Sequence, residues 1–179
     1  MNLEDFQNKT FLYPTDTILG LGCSIFDENS VEKMYQIKNR PNDKSLIILV
    51  NSEQMLQKYV DVPEMAWQLI DLSEKPITIV YENPFNLPDS LIAKDNTVAI
   101  RLTRNNFCNQ LINKIKAPIV STSANFSGEK TPAIFTEINQ DFLAKIDFIF
   151  PECINFKPQY SSSSIIKISK SGIIKIIRE

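Results

Sequence analysis

The sequence predicts an α/β (α+β) domain: a twisted mixed β-sheet flanked by helices. Three observations carry that expectation. Short apolar runs of strand length recur along the chain, separated by segments with helical apolar spacing. The runs are bounded by Pro, Asn, Asp and Ser, the residues that cap helices and close turns. The C-terminal stretch from Ser164 reads as two strands turning at Gly172.

Phe11-Leu12-Tyr13 reads as a short buried strand stopped by Pro14. Asp27 to Ser30 supplies capping residues, and Val31, Met34, Tyr35 and Ile37 come next at helical spacing, with Pro41 as the expected stop. The run from Ser45 to Val50 is continuously apolar after its first residue, as expected of a strand buried on both faces. Helices are expected over 52–59 and 63–72, each opened by an acidic or Pro start. Ile77 to Tyr81 and Thr97 to Leu102 are the next strands. An amphipathic helix is expected from Phe107 to Ile115, then a strand from Pro118 to Val120. A helix near 133–144, a strand over 147–150 and the hairpin from Ser164 to Ile177 complete the expectation.

With 179 residues, 43% hydrophobic and 22% charged, residues 1–179 are expected to form one domain with a core of its own. No stretch reaches the roughly 18 to 20 apolar residues that span a bilayer, and MNLEDFQNK does not read as a signal peptide, so no membrane association and a cytoplasmic location are expected. Cys23, Cys108 and Cys153 are too widely spaced for a disulfide framework or a metal pattern. Histidine is absent, which rules out a Ser-His-Asp or Cys-His nucleophile and a His-ligated metal. The net charge is -2, but acidic residues crowd positions 53–100 and basic ones the end of the chain. Such asymmetry fits either a local basic face or a solvated surface.

Several polar clusters sit inside or just after apolar strands, where open sheets hold ligands. The first is Tyr13-Pro-Thr-Asp-Thr-Ile-Leu-Gly-Leu-Gly22, in which Thr15 and Asp16 can cap the next turn and the glycines permit close approach. A capped turn reads the same way. The second, Lys38-Asn-Arg-Pro-Asn-Asp-Lys44, concentrates Lys38, Arg40 and Lys44 at a helix end. That suits a polyphosphate, and equally a helix macrodipole. Arg101 ends an apolar strand, where a charge faces solvent or a carboxylate partner. Pro118-Ile-Val-Ser-Thr-Ser-Ala-Asn-Phe-Ser-Gly128 breaks from an apolar run into small hydroxyls and amides, which make either a surface loop or a cradle of neutral donors. Ser161 to Ser164 offers a further wall.

Taken in order and spacing, Tyr13 to Gly22, Lys38 to Leu46, Val98 to Arg101 and Ser121 to Gly128 resemble the YrdC domain family, over a span from about Phe11 to Arg178. The resemblance implies a YrdC-like fold with a concave, positively charged pocket. It also implies an L-threonylcarbamoyladenylate synthase, a nucleotidyltransferase that acts on ATP, L-threonine and bicarbonate, with Mg²⁺ carried by the ATP. On the matching positions it implies a catalytic tetrad of Lys38, Arg40, Ser123 and Asn125. ATP would be held by that tetrad with Lys44, Thr78, Ser121 and Arg178, and threonine by Thr15, Arg101 and Ser163. The sequence departs from the family pattern at Leu19, where an aromatic is usual, at Glu74-Lys75-Pro76, where Pro-Gly-Pro is usual, and at Ser164.

The implied product feeds a separate tRNA threonylcarbamoyl transferase complex that modifies an adenosine beside the anticodon. Two other readings stay open on the sequence: a non-catalytic module whose basic face binds RNA or tRNA, and a paralogue with a different acceptor.

Overall fold

The computed structural model describes residues 6–39 and 46–179. Strand β1 (Phe11–Tyr13) is fully buried and leads through Pro14 into β2 (Gly20–Ser24), which was not among the expected strands. Two glycines in five residues weaken its β pattern, and pairing on both sides reveals it. Helix α1 (Glu28–Lys38) starts where Asp27 accepts from the Ser30 amide. It stops at Asn39, a left-handed residue whose amide closes onto Gln36 and Tyr35 carbonyls, so the helix has already ended before Pro41, which lies outside the described residues.

Strand β3 (Ile47–Val50), the single turn α2 (Glu53–Leu56) capped by Ser52, and α3 (Glu64–Leu72) after Pro63 come next. Then come β4 (Ile77–Glu82), β5 (Thr97–Leu102) and α4 (Asn106–Ile115), capped by the Asn105 side chain. Strand β6 runs over Ile119–Ser123, so Ser121 and Ser123 belong to the strand rather than to a loop after it. The helix expected near 133–144 is a 3-10 turn at Phe135–Glu137 and then a short α5 (Gln140–Leu143). Side-chain acceptors break it: Glu137 takes the Ala133 amide at 2.7 Å and Asn139 takes that of Asp141 at 2.8 Å. β7 (Phe148–Ile149), β8 (Ser164–Ile168) and β9 (Ile174–Arg178) complete the chain, the last two joined through Gly172 at φ +82°.

Among the described residues the nine strands form one twisted mixed sheet in the order β7-β1-β2-β6-β3-β5-β4-β8-β9. The pairs β1/β7, β3/β5 and β4/β8 are parallel and the others antiparallel. Strand alternation separates two faces. Ile48, Val50, Ile79, Tyr81, Val98 and Ile100 lie on one, each at most 1% exposed. Ala99, Arg101, Ser121, Ser123 and Lys167 lie on the other, over which a cavity opens. At the β1/β7 end an aromatic cluster of Phe6, Phe11, Tyr13, Phe148 and Phe150 fills the core. Asp147 ties that end together, accepting the Thr10 amide at 2.9 Å and its hydroxyl at 2.8 Å.

Candidate active site

The cavity on the polar face has a volume of about 480 Å³. Of the residues proposed from the sequence, Thr15, Arg101, Ser121, Ser123, Ser163 and Arg178 line it. They come from five separate parts of the chain: the β1–β2 turn, β5, β6, the loop before β8, and β9. Strand periodicity sets much of this. Ser121 and Ser123 are two apart on β6, and Thr97, Ala99 and Arg101 are two apart on β5, so each set faces the same way.

Lys38, Asn125 and Thr78 are not among the lining residues. Lys38 and Thr78 each stand directly behind a lining serine, and Asn125 meets Lys38. Lys38 is 2% exposed. Its ammonium donates to the Ser123 carbonyl at 2.7 Å, to the Asn125 carbonyl, and more distantly to Ser123 Oγ at 3.4 Å and Asn125 Oδ1 at 3.3 Å. Asn125 in turn donates its amide to the Phe126 and Glu129 carbonyls, both at 2.9 Å, shaping the loop after β6. Thr78 shares a hydrogen bond of 2.8 Å with the Ser163 hydroxyl. The structure therefore brings Lys38, Ser123 and Asn125 together. Arg40 and Lys44 lie outside the described residues.

Arg101 is 5% exposed, and burial lowers its pKa from the ordinary arginine value. Its guanidinium forms a partition: one nitrogen donates to Thr17 Oγ1 at 3.3 Å on the main cavity, and the other pairs with Asp16. Asp16 lines a second cavity of about 430 Å³, which also reaches Arg101, Lys75 and Arg104. The sequence allowed a carboxylate partner for Arg101, and Asp16 is that partner. Thr15 Oγ1 is engaged locally, donating to the Ile18 carbonyl at 2.7 Å and accepting the Thr17 amide at 3.0 Å. Arg178 grips the Ser163 carbonyl through Nε at 3.1 Å and Nη2 at 2.7 Å, holding the last strand against the serine wall.

Sequence reasoning missed several lining groups. Lys167 and Asp95 form an ion pair of 3.0 Å at the rim, from β8 and from the loop before β5. Thr97 donates to the same carboxylate at 2.7 Å, and that bond, then Lys167, holds the Asp95 pKa below the usual value. Strand alternation through Thr97 and through Lys167 could have put both on the cavity face, but nothing in the sequence pairs them. Among the described residues no group of three or more His, Cys, Asp or Glu side chains is arranged to hold a metal. No helix there is long and apolar enough to cross a membrane.

One mixed sheet carrying a hollow of hydroxyls and arginines across one face defines an α/β protein with a candidate site for anionic ligands. The chain belongs to the Sua5/YciO/YrdC family: the family profile described as "Sua5_yciO_yrdC: Telomere recombination" matches residues 6–179. It is 34% identical over 140 residues to a protein of Haemophilus ducreyi named threonylcarbamoyl-AMP synthase, covering 76% of this chain and 76% of that protein. It is 33% identical over 176 residues to one of Methanocaldococcus jannaschii named putative threonylcarbamoyl-AMP synthase, covering 97% of this chain and 81% of that protein. Among solved structures it is similar to Pyrococcus abyssi Sua5 complexed with L-threonine, with a TM-score of 0.78 and 29% identity. That match covers 90% of this chain but 47% of the Sua5 chain, so the chain spans about half of it. Escherichia coli YciO shares the fold, with a TM-score of 0.82 at 23% identity over 99% of this chain and 86% of that one.

Proposed function

We propose that the protein is an L-threonylcarbamoyladenylate synthase, forming threonylcarbamoyl-AMP and pyrophosphate from L-threonine, bicarbonate or CO₂, and MgATP. The observation that carries this reading is the convergence of Ser121, Ser123, Ser163, Arg101 and Arg178 on one cavity. Cations and neutral hydroxyl donors are the two kinds of group that hold phosphate and carboxylate oxygens. Relatives named for this synthase, at 33% and 34% identity, support it.

Threonine's amine joins CO₂ to give an N-carboxylate. One of its oxygens attacks the α-phosphorus of ATP, the new P–O bond forms, and the bond to the β-phosphate oxygen breaks to release pyrophosphate. The chain supplies no nucleophile. It positions the two substrates and stabilises charge developing on phosphoryl oxygens. Ser121 and Ser123 donate to those oxygens, Arg178 closes over the nucleotide, and Arg101 meets the threonine carboxylate beside Thr15 and Ser163. Lys38, Asn125 and Thr78 hold the serine walls from behind, and Lys38, with Arg40 and Lys44, adds positive charge to the phosphate end. Mg²⁺ arrives as part of the nucleotide substrate. The product is a mixed anhydride, which suits transfer of its carbamoyl group to a nucleophile such as a tRNA adenosine by a separate transferase complex.

The test incubates the pure protein with ATP, Mg²⁺, bicarbonate and threonine, omits each in turn, and tracks pyrophosphate and the adenylate by mass spectrometry. Release that needs all four supports the reading; ATP turnover indifferent to threonine sinks it. Serine should compete weakly and 2-aminobutyrate should hardly react, because a site built to bond a hydroxyl rejects the analogue lacking it most strongly.

A further inference from the structure

We infer that Tyr13 is a positioning residue for the cavity: its buried phenol orients the Ser121 hydroxyl so that the serine proton is presented to an anionic substrate oxygen. The inference rests on the proposed role of Ser121 as a ligand of ATP.

The geometry is built across three strands. Tyr13 is 0% exposed on β1 and pairs with Gly20 on β2, while Ser121 lies one strand further on, on β6, opposite Gly22. A side chain can reach from β1 to β6 only if β2 carries nothing between them on that face. Both β2 residues there are glycines. A Cβ at Gly20 would meet Tyr13 Cε1 at 2.9 Å and Ser121 Oγ at 3.3 Å, and a Cβ at Gly22 would meet Tyr13 Cε1 at 2.8 Å. The ring thus lies over the bare strand. The approach that the two glycines permit is that of Tyr13.

At the end of that reach, Tyr13 Oη donates to Ser121 Oγ at 2.6 Å, a short and fully buried bond. Burial holds the phenol well above its ordinary pKa, so it remains a donor at every physiological pH. With the tyrosine proton on one lone pair, the Ser121 proton cannot point back at Tyr13. Ser121 Oγ donates no hydrogen bond to another described residue, and the residue, 8% exposed, lines the cavity. Its proton is therefore directed towards the cavity, and accepting from tyrosine polarises it further. A serine alone on a strand would rotate freely and would have to be ordered by the ligand; here the scaffold has ordered it beforehand.

The experiment measures MgATP affinity by calorimetry and the separate kcat and KM of pyrophosphate release for wild type, Tyr13→Phe, Ser121→Ala and the double variant. Thermal melts check that each is folded. Tyr13→Phe should weaken MgATP binding about 3- to 10-fold, the worth of one neutral hydrogen bond, and should change nothing in the Ser121→Ala background. A Tyr13→Phe protein that binds like wild type overturns the inference, as does a loss that is equally large in the double variant. A wild type that binds no nucleotide overturns both this inference and the function proposed above. If Tyr13→Phe does not fold, 3-fluorotyrosine at position 13 replaces it, keeping shape while strengthening the donor. The affinity must then shift in the wild-type background and not beside Ser121→Ala; no shift overturns the inference.

Discussion

Lys38 shows how a side chain named for one task can carry a second. Its spacing from Arg40 and Lys44 suits a phosphate ligand as well as a helix end, and truncating a ligand alone would leave stability almost untouched. In the fold Lys38 is 2% exposed, and its ammonium bridges the carbonyls of Ser123 and Asn125. Removing it takes the ammonium donor from the buried Asn125 carbonyl, while the Ser123 carbonyl keeps the Asn125 amide at 3.0 Å, a loss of about 1–3 kcal/mol. Lys38→Ala should therefore lower both pyrophosphate release and the denaturation midpoint in urea, and an unchanged midpoint would show that the bridge contributes nothing. Arg101 carries the same lesson in a different form. The apolar run from Thr97 to Leu102 leaves its charge facing either solvent or a carboxylate; the carboxylate, Asp16, lies 85 residues away in sequence, and only the fold pairs them.

Element by element, legibility tracks the strength of the local signal. Strands rich in β-branched residues, such as Ile77 to Val80 and Thr97 to Ile100, are plain in the sequence, as are the helices α1 and α4, whereas the helix expected over 52–59 is only the single turn Glu53–Leu56. β2 is not, because its identity depends on partners rather than on its own residues. Its glycines are required for space: Gly22 is hemmed by Tyr13 Cε1 at 2.8 Å, the Val120 carbonyl at 2.8 Å and Ile119 Cγ2 at 2.9 Å. Two of those three belong to the neighbouring strand β6, whose backbone is fixed by pairing on both sides. Gly22→Ala should thus cost about 1–3 kcal/mol of stability by overpacking, read from equilibrium unfolding. A variant as stable as the parent would mean that the sheet gives way there. The segment 133–144 failed in the opposite sense: its apolar spacing is helical, yet Glu137 and Asn139 compete for the amides that a continuous helix needs.

For the whole molecule, the three cysteines measure how closed the core is. All are buried, and burial pushes the Cys108 thiol up to about 11 and that of Cys153 to about 12, with Cys23 raised further still. Because the pKa values are raised, the thiol form dominates below them, and at pH 8 the Cys108 thiolate is about one in a thousand. The native protein should resist iodoacetamide at pH 8 and keep its activity, while the guanidinium-unfolded chain should take up three labels by mass spectrometry. Rapid labelling of the native state would show that the core opens.

From the amino-acid order alone come the class of fold, most of its strands and helices, and the set of hydroxyl and cationic groups available for chemistry. These arise from periodicity and capping, which act over a few residues. Which of those groups face a common hollow, and which stand behind it as supports, was decided by the sheet: a β1–β2–β6 succession lets Tyr13 reach Ser121, and β4/β8 pairing sets Thr78 against Ser163. Such contacts join residues that the chain keeps 85 to 108 positions apart, and no local pattern encodes distances of that kind.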